Sequence, residues 1–178
     1  MTLNDILVSA LAQLDRGHDA QTLAIFRDRL TGFANDAQSD LARAVNLTRT
    51  ETVMPTNGVV EISDLSRDCL KVVTVKQRGK RVPFTKGDTG TIGLPYLDRA
   101  EITYRCEPKR LSAPTDVSEL PEHTHGLIVS YVVGRERMAG DTSTQRGANI
   151  YLSMYEAAKA RLRPHYGDAG SYAIVNRY

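Results

Sequence analysis

Apolar residues recur at helical spacing in the first part of the chain and predict two helices. Thr2 and Asp5 precede the first stripe and are spaced as a capping box, and Gly17 is predicted to stop that helix. The second helix begins after Asp19 and is longer. The stripes consist of Leu3, Ile6, Leu7, Ala10, Leu11 and Leu14, then of Leu23, Phe26, Leu30, Phe33, Ala37, Leu41 and Ala44. We expect the two helices to pack as a hairpin.

From about Arg49 the pattern becomes typical of short strands, because Thr, Val and Ile are frequent and turn residues interrupt the chain. The pattern predicts strands over 59–62, 70–76, 81–85 and 101–106, with a hairpin turn over 77–80. In the last of these strands Ile102, Tyr104 and Cys106 should share one face. These segments indicate a small antiparallel sheet.

Helical spacing returns at Pro121, a residue suited to a first helical turn, and predicts two more helices. Gly140 and Asp141 separate them, and Pro164 ends the second. Their apolar positions are Leu127, Ile128, Tyr131, Val132 and Met138, then Ala148, Tyr151, Leu152, Tyr155, Ala158 and Leu162. The remaining residues, 165–178, form a tail rich in aromatic and aliphatic side chains, which we expect to need a partner surface.

The predicted fold class is therefore α+β, with a four-helix core, an inserted small antiparallel β region and an extended C-terminal tail. The predicted division is 1–48 for an N-terminal helical hairpin, 49–115 for the β region, 116–164 for the C-terminal helical hairpin and 165–178 for the tail.

Composition and charge exclude some classes of function but do not identify one. The chain has 178 residues, is 41% hydrophobic and 25% charged, and has a formal net charge of +2. Such a small net charge does not indicate a nucleic-acid-binding protein, so any contact with DNA must involve a local cluster of cations. The sequence contains no signal peptide and no apolar run long enough for a bilayer, which predicts a cytosol-like compartment and no membrane partner. Cys69 and Cys106 are expected to be reduced thiols on strands.

The candidate catalytic motifs lack the sequence surroundings that their chemistry requires. Gly87, Gly90 and Gly93 do not open a helix after a strand, so we interpret them as a flexible loop rather than a phosphate cradle. His123 and His125 lie two residues apart near a helix start, and because such neighbours diverge on a helix they cannot share a metal on one face. We expect both to occupy the surface or a cap. Paired carboxylates such as Asp36 and Asp40 are expected on a solvated face. We predict no enzyme activity, no metal and no cofactor.

A run of cations within the predicted β hairpin is the strongest candidate contact patch. The patch consists of Lys71, Lys76, Arg78, Lys80, Arg81 and Lys86, with no acid among them. Cations on a sheet edge also prevent sheets from pairing between molecules. The sequence does not distinguish a functional contact patch from such protection of the sheet edge. Repeated around a ring, the patch would make a band able to hold acidic protein or DNA phosphate.

The order of elements resembles the head–tail adaptor (connector) proteins of tailed bacteriophages. The local similarity runs from 100 to 162. It lies in Ala100-Glu-Ile-Thr-Tyr104, Pro108, Asp116, Leu120-Pro-Glu122, Leu127, Tyr131, Arg135, Met138, Asp141, Ala148, Tyr151 and Tyr155. The first half of the chain supports the resemblance by architecture alone.

The resemblance implies a structural protein of the virion neck, assembled in the host cytoplasm. It implies a homo-oligomeric ring of about twelve copies that docks under the portal, extends the DNA channel and offers a platform to the next neck or tail protein. The tail would dock on the portal through Tyr166, Tyr172, Ile174, Val175 and Tyr178. The alternatives are a small DNA-binding or packaging accessory protein that uses the basic hairpin, and an enzyme with an unrecognised site.

Overall fold

Helices occupy both ends of the described chain and strands occupy its middle. The computed structural model describes residues 1–17, 19–87, 90–139 and 142–162. Its helices are α1 (Leu3–Gln13), α2 (Ala20–Ala44), α3 (His125–Met138) and α4 (Thr142–Arg161). Its strands are β1 (Thr48–Val53), β2 (Val59–Glu61), β3 (Cys69–Gln77), β4 (Lys80–Val82), β5 (Thr85–Lys86), β6 (Thr91–Gly93) and β7 (Ala100–Cys106), and short 3-10 turns cover Ile62–Asp64 and Glu122–Thr124. The α+β class is confirmed.

The helix starts follow the sequence closely. Thr2 and Asp5 form the predicted capping box, and Asp19 accepts hydrogen bonds from the first backbone amides of α2. The predicted stop at Gly17 is wrong, because α1 already ends at Gln13 and Asp15 takes a left-handed φ of 56°.

Two units divide the chain. The helical unit comprises Met1–Ala44 and Glu107–Leu162, and the β unit comprises Val45–Cys106 among the described residues. In the helical unit α3 contacts each of the other three helices, and its buried residues include Ile128, Val129, Val132 and Val133. None of the helices in the described ranges is long and apolar enough to span a membrane.

Two buried amides of α2 hold the segment that precedes α3. Asn35 both donates to and accepts from the backbone of Leu111, at 2.9 and 2.8 Å. Gln38 donates to the carbonyl of Lys109 at 2.8 Å. Because a buried amide without partners costs about 1–3 kcal/mol, these bonds fix the path of the segment along α2.

The strands form two antiparallel sheets. The larger has the order β1-β7-β3-β4 and the smaller β2-β6-β5. The predicted return strand over 81–85 forms but is shorter, because β4 ends at Val82 and Thr85 pairs with Gly93 in the smaller sheet. Pro83 lacks an N–H group and cannot continue the ladder.

Candidate functional surface

The larger sheet has one polar face, here called the threonine face. In its first row Thr52, Glu101, Lys76 and Arg81 stand opposite one another across all four strands. Directly opposite residues project from the same side of a sheet, and so do residues two positions along each strand. The face is completed by Thr50, Thr103 and Thr74 in a second row and by Thr48, Arg105 and Lys71 in a third.

The alternation of polar with other residues along β1 and β7 creates this face. In β7 Ala100, Ile102, Tyr104 and Cys106 are buried, and the residues between them are half-buried polar side chains of the threonine face. In β1 threonine occupies every second position from Thr48. Threonine is favoured in strands by its β-branch and brings a hydroxyl to the surface, so the face is able to form hydrogen bonds.

The threonine face carries four cations and one carboxylate. Lys76 lies 3.3 Å from Glu101, and both side chains are nearly half exposed, so their attraction is small. Lys71 and Arg81 are exposed and Arg105 is half-buried. The resulting excess of positive charge is confined to one side of the sheet, where it favours acidic partners.

A tight turn joins β3 to β4. Arg78 and Gly79 have φ values of 52° and 72°, as in a type I′ turn. Arg78 pairs with Asp98 and lies over the ring of Tyr96, with 5.1 Å to the centroid. A groove of about 500 Å³ runs beside the turn and is lined by Thr52, Lys76, Arg78, Gly79, Asp98, Arg99 and Glu101. The groove is polar and of mixed charge.

The structure separates the six residues of the predicted basic patch. Lys71, Lys76 and Arg81 lie on the threonine face. Arg78 lies in the turn, and Lys80 stands opposite the buried Gln77 at the other side of the sheet. Lys86 belongs to the smaller sheet, so the prediction of one hairpin is wrong for it. The chain leaves the larger sheet at Pro83.

Sequence reasoning missed Arg105 and the threonine rows, although the alternation in β1 and β7 was a signal for both. It also missed the acids that meet the cations in space, because Asp98 and Glu101 lie 20 and 25 positions away from their partners Arg78 and Lys76. The proposed tail residues Tyr166, Tyr172, Ile174, Val175 and Tyr178 lie outside the described residues.

The helical unit has a second candidate surface, here called the α4 face. Ile150 and Met154 lie one turn apart on α4 and are 61% and 63% exposed. Exposed apolar side chains that lie together are typical of protein interfaces, so these two residues define the α4 face. On the opposite side of α4, a groove of about 710 Å³ lies between α2, α3 and α4 and is lined by Phe33, Tyr131, Arg135, Met138, Ala139, Leu152 and Glu156.

Contacts between α2, α3 and α4 fix the orientation of the α4 face. The Tyr155 hydroxyl donates to Asp40 at 2.6 Å, and Lys159 donates to the same carboxylate at 2.8 Å. Burial would raise the pKa of Asp40, but these two donors lower it. Tyr155 also packs against Tyr131, with ring centroids 5.0 Å apart. The solvated face predicted for Asp36 and Asp40 is confirmed, since Asp36 is exposed and the Asp40 side chain is 44% exposed, but Asp40 also links α2 to α4.

The remaining motifs are structural. His123 is exposed, as predicted. His125 is buried rather than on the surface, but it caps the C-terminal end of the 3-10 turn Glu122–Thr124, and its Nε2 lies 2.9 Å from the Leu120 carbonyl oxygen. Gly93 lies in strand β6 rather than in a flexible loop, and a side chain at this position would collide with Thr85 of the paired strand. In the part of the chain that the structure describes, no three His, Cys, Asp or Glu side chains gather in a way that would hold a metal.

The carboxylate of Glu51, on β1, is the centre of a hydrogen-bond network on the buried face of the larger sheet. The Glu51 carboxylate accepts from the Tyr104 hydroxyl and the Arg49 guanidinium, each at 2.7 Å, and from the amide and hydroxyl of Ser66. Burial would raise the pKa of Glu51, but the donors outweigh it and lower the pKa to about 2. Tyr104 is fully buried and needs this acceptor.

Replacing Glu51 by glutamine should destabilise the protein by about 2–3 kcal/mol at pH 7. Because the folded-state pKa lies below the unfolded value of 4.5, the stabilisation is present above about pH 4.5 and disappears as the pH falls towards 2. Urea unfolding of both proteins across this range measures the difference. The exposed control Glu101→Gln should cost under about 0.5 kcal/mol at pH 7. A Glu51→Gln loss that is independent of pH would contradict the network.

A scan against protein-family models found no match for this sequence, and a search of curated proteins found none either. The functional assignment therefore rests on the residues and surfaces described above.

Proposed function

We propose that the chain is a structural adaptor of a tailed phage that forms a ring below the portal and extends the DNA channel. The observation that carries the proposal is the order of elements. Two helices (Leu3–Gln13 and Ala20–Ala44) and two later helices (His125–Met138 and Thr142–Arg161) belong to one unit, and the strands between them form another. The adaptor family has this arrangement of a helical core with a β insertion.

Three residues of the local resemblance, Leu120, Tyr131 and Tyr155, support the proposal because they pack within the helical unit. Leu120 is buried directly before α3, with its carbonyl oxygen at 2.9 Å from the His125 ring. Tyr131 and Tyr155 pack α3 against α4. Such residues hold two helices in a fixed relation, which a structural adaptor requires.

The proposed ring needs a surface that a second copy covers, and the α4 face suits this role. Ile150 and Met154 supply exposed apolar area there, and burying it against a second copy would stabilise the contact between copies. Weak contacts repeated around a closed ring produce a tight assembly.

The threonine face would then form a charged band in the assembled ring. Its cations, Lys71, Lys76, Arg81 and Arg105, would be repeated once per copy and would attract DNA phosphates or acidic protein. Because β4 is an edge strand, Lys80 and Arg81 could equally serve to prevent the sheets of two molecules from pairing, rather than to bind a partner.

Deleting the residues after Pro164 should abolish attachment to the cognate portal, because the tail residues are proposed to anchor each copy there. Co-sedimentation of the full chain and of the truncated chain with portal rings measures attachment. A cooperative urea-unfolding transition of the truncated chain serves as the control that it is folded. Attachment of the truncated chain with undiminished affinity would contradict the role of the tail.

A DNA-binding or packaging accessory protein is the second candidate, and the positive charge of the threonine face favours it. This function requires the isolated protein to bind DNA with an affinity that falls steeply with salt. An Arg81→Glu, Arg105→Glu variant would then lose DNA binding and keep its fold. If instead portal binding is retained and DNA binding by the isolated wild-type protein is negligible, the adaptor is favoured.

A further inference from the structure

Two cysteines face each other across neighbouring strands of the larger sheet. Cys69 begins β3, Cys106 ends β7, and the two are partners in the antiparallel register. Both are free cysteines and lie on strands, as the sequence predicted for their position. Directly opposite residues in an antiparallel pair project to the same side of the sheet. The two thiols are therefore neighbours within one face.

The hydrogen bonds of Cys106 define the type of this pair. Its N–H donates to the carbonyl of Leu47 at 3.1 Å, on the side of β1. Backbone groups of a central strand alternate between its two neighbours, so towards β3 the Cys69–Cys106 pair is of the non-hydrogen-bonded type. Such pairs have Cα atoms about 4.5 Å apart, which falls inside the range of about 4.4–6.8 Å that a disulfide spans.

The ladder beside the pair is irregular, which allows a small adjustment. A register shift lies between Cys69 and Lys71, so Leu70 is an extra residue of β3. Cβ atoms of opposed residues are typically about 4.5–5.5 Å apart, slightly more than a disulfide prefers. A bulged strand can close this gap more easily than a regular one.

We infer that Cys69 and Cys106 form a reversible cross-strand disulfide when the protein meets an oxidising small-molecule disulfide such as oxidised glutathione. Cys69 is partly exposed and reacts first, and Cys106, 3% exposed, resolves the intermediate. This inference does not depend on the proposed function.

The reaction proceeds by two thiol–disulfide exchanges. The Cys69 thiolate attacks one sulfur of oxidised glutathione, which breaks the glutathione S–S bond and releases one glutathione. The Cys106 thiolate then attacks the Cys69 sulfur of the mixed disulfide and releases the second glutathione. Two protein thiols are oxidised, one glutathione disulfide is reduced, and the two thiol protons end on the released glutathiones.

The surroundings of Cys69 set the rate of the first step. Burial raises the pKa of the Cys69 thiol, and the nearby Lys86 ammonium partly opposes this increase. Since the thiolate is the nucleophile, the reaction should be slow at neutral pH and become faster as the pH rises.

The test incubates the full-length protein with oxidised glutathione at about pH 8.5, blocks remaining thiols and maps peptides by mass spectrometry. We expect one intramolecular link between Cys69 and Cys106 in a monomeric product. The cross-link closes the loop that contains β4, β5 and β6, so the unfolding midpoint should rise by about 10 °C and return on reduction.

Single variants separate the two roles. Cys106→Ala should accumulate a stable glutathione adduct on Cys69, because the resolving thiol is missing. Cys69→Ala should resist modification while folded, because Cys106 is buried. The inference is overturned if wild type retains both thiols, if it stops at the Cys69 adduct, or if its disulfides join separate copies.

Discussion

The Ile150→Glu, Met154→Glu variant is expected to lose self-association while remaining folded. Burying one such side chain contributes about 1.5–3 kcal/mol, so converting two of them to carboxylates should weaken the contact between copies at least about 100-fold. Both side chains are exposed in the single chain, and the substitution therefore leaves the core intact. Sedimentation velocity over a range of concentrations measures the association constant.

The matched control adds the same charge to the same helix outside the α4 face. Asn149 and Ala160 are exposed and lie about 100° around the helix from Ile150 and Met154. Asn149→Glu, Ala160→Glu should leave self-association within about threefold of wild type, a change of under about 0.7 kcal/mol. Equal losses in both variants would show that charge alone, and not the α4 face, governs assembly.

The Arg16→Ala, Arg29→Ala variant should destabilise the helical unit by about 3–5 kcal/mol. Glu136 on α3 is 3% exposed, and its Oε1 lies 2.5 Å from Arg29 and 3.5 Å from Arg16. Both arginines also lie against the Phe26 ring. Without them, a buried carboxylate loses its compensating charges. Urea unfolding at neutral pH measures the loss.

Neutralising the carboxylate should restore part of the lost stability. Glu136→Gln in the background without the two arginines removes the buried charge at constant volume, and we expect it to recover about 1–2 kcal/mol. In the wild-type background the same substitution should destabilise. If Glu136→Gln gave the same change in both backgrounds, the arginines would not be compensating this charge.

Local patterns accounted for most of the elements. The Thr2–Asp5 capping box and the α1 stripe depend on residues three or four positions apart, so the sequence displays them directly. The alternation in β7 likewise predicted the buried face of Ile102, Tyr104 and Cys106. In such cases the local preference and the tertiary structure agree.

Long-range pairing could not be predicted in the same way. Thr85 appeared to continue a strand, but its partner Gly93 lies in another sheet. The pattern of α2 indicated that Asp40 is solvent-exposed but not that it accepts a hydrogen bond from Tyr155, 115 positions away. Nothing in the local sequence of α3 indicates that Glu136 meets Arg29 from α2. These interactions depend on packing, which a single sequence does not display.

The most direct test of the proposed function is electron microscopy of the purified chain mixed with its cognate portal ring. The adaptor hypothesis predicts a coaxial disc added to one face of the portal, present with the full chain and absent with the chain truncated after Pro164. Portal rings that remain bare at saturating concentrations of the folded full-length chain would contradict the proposed function.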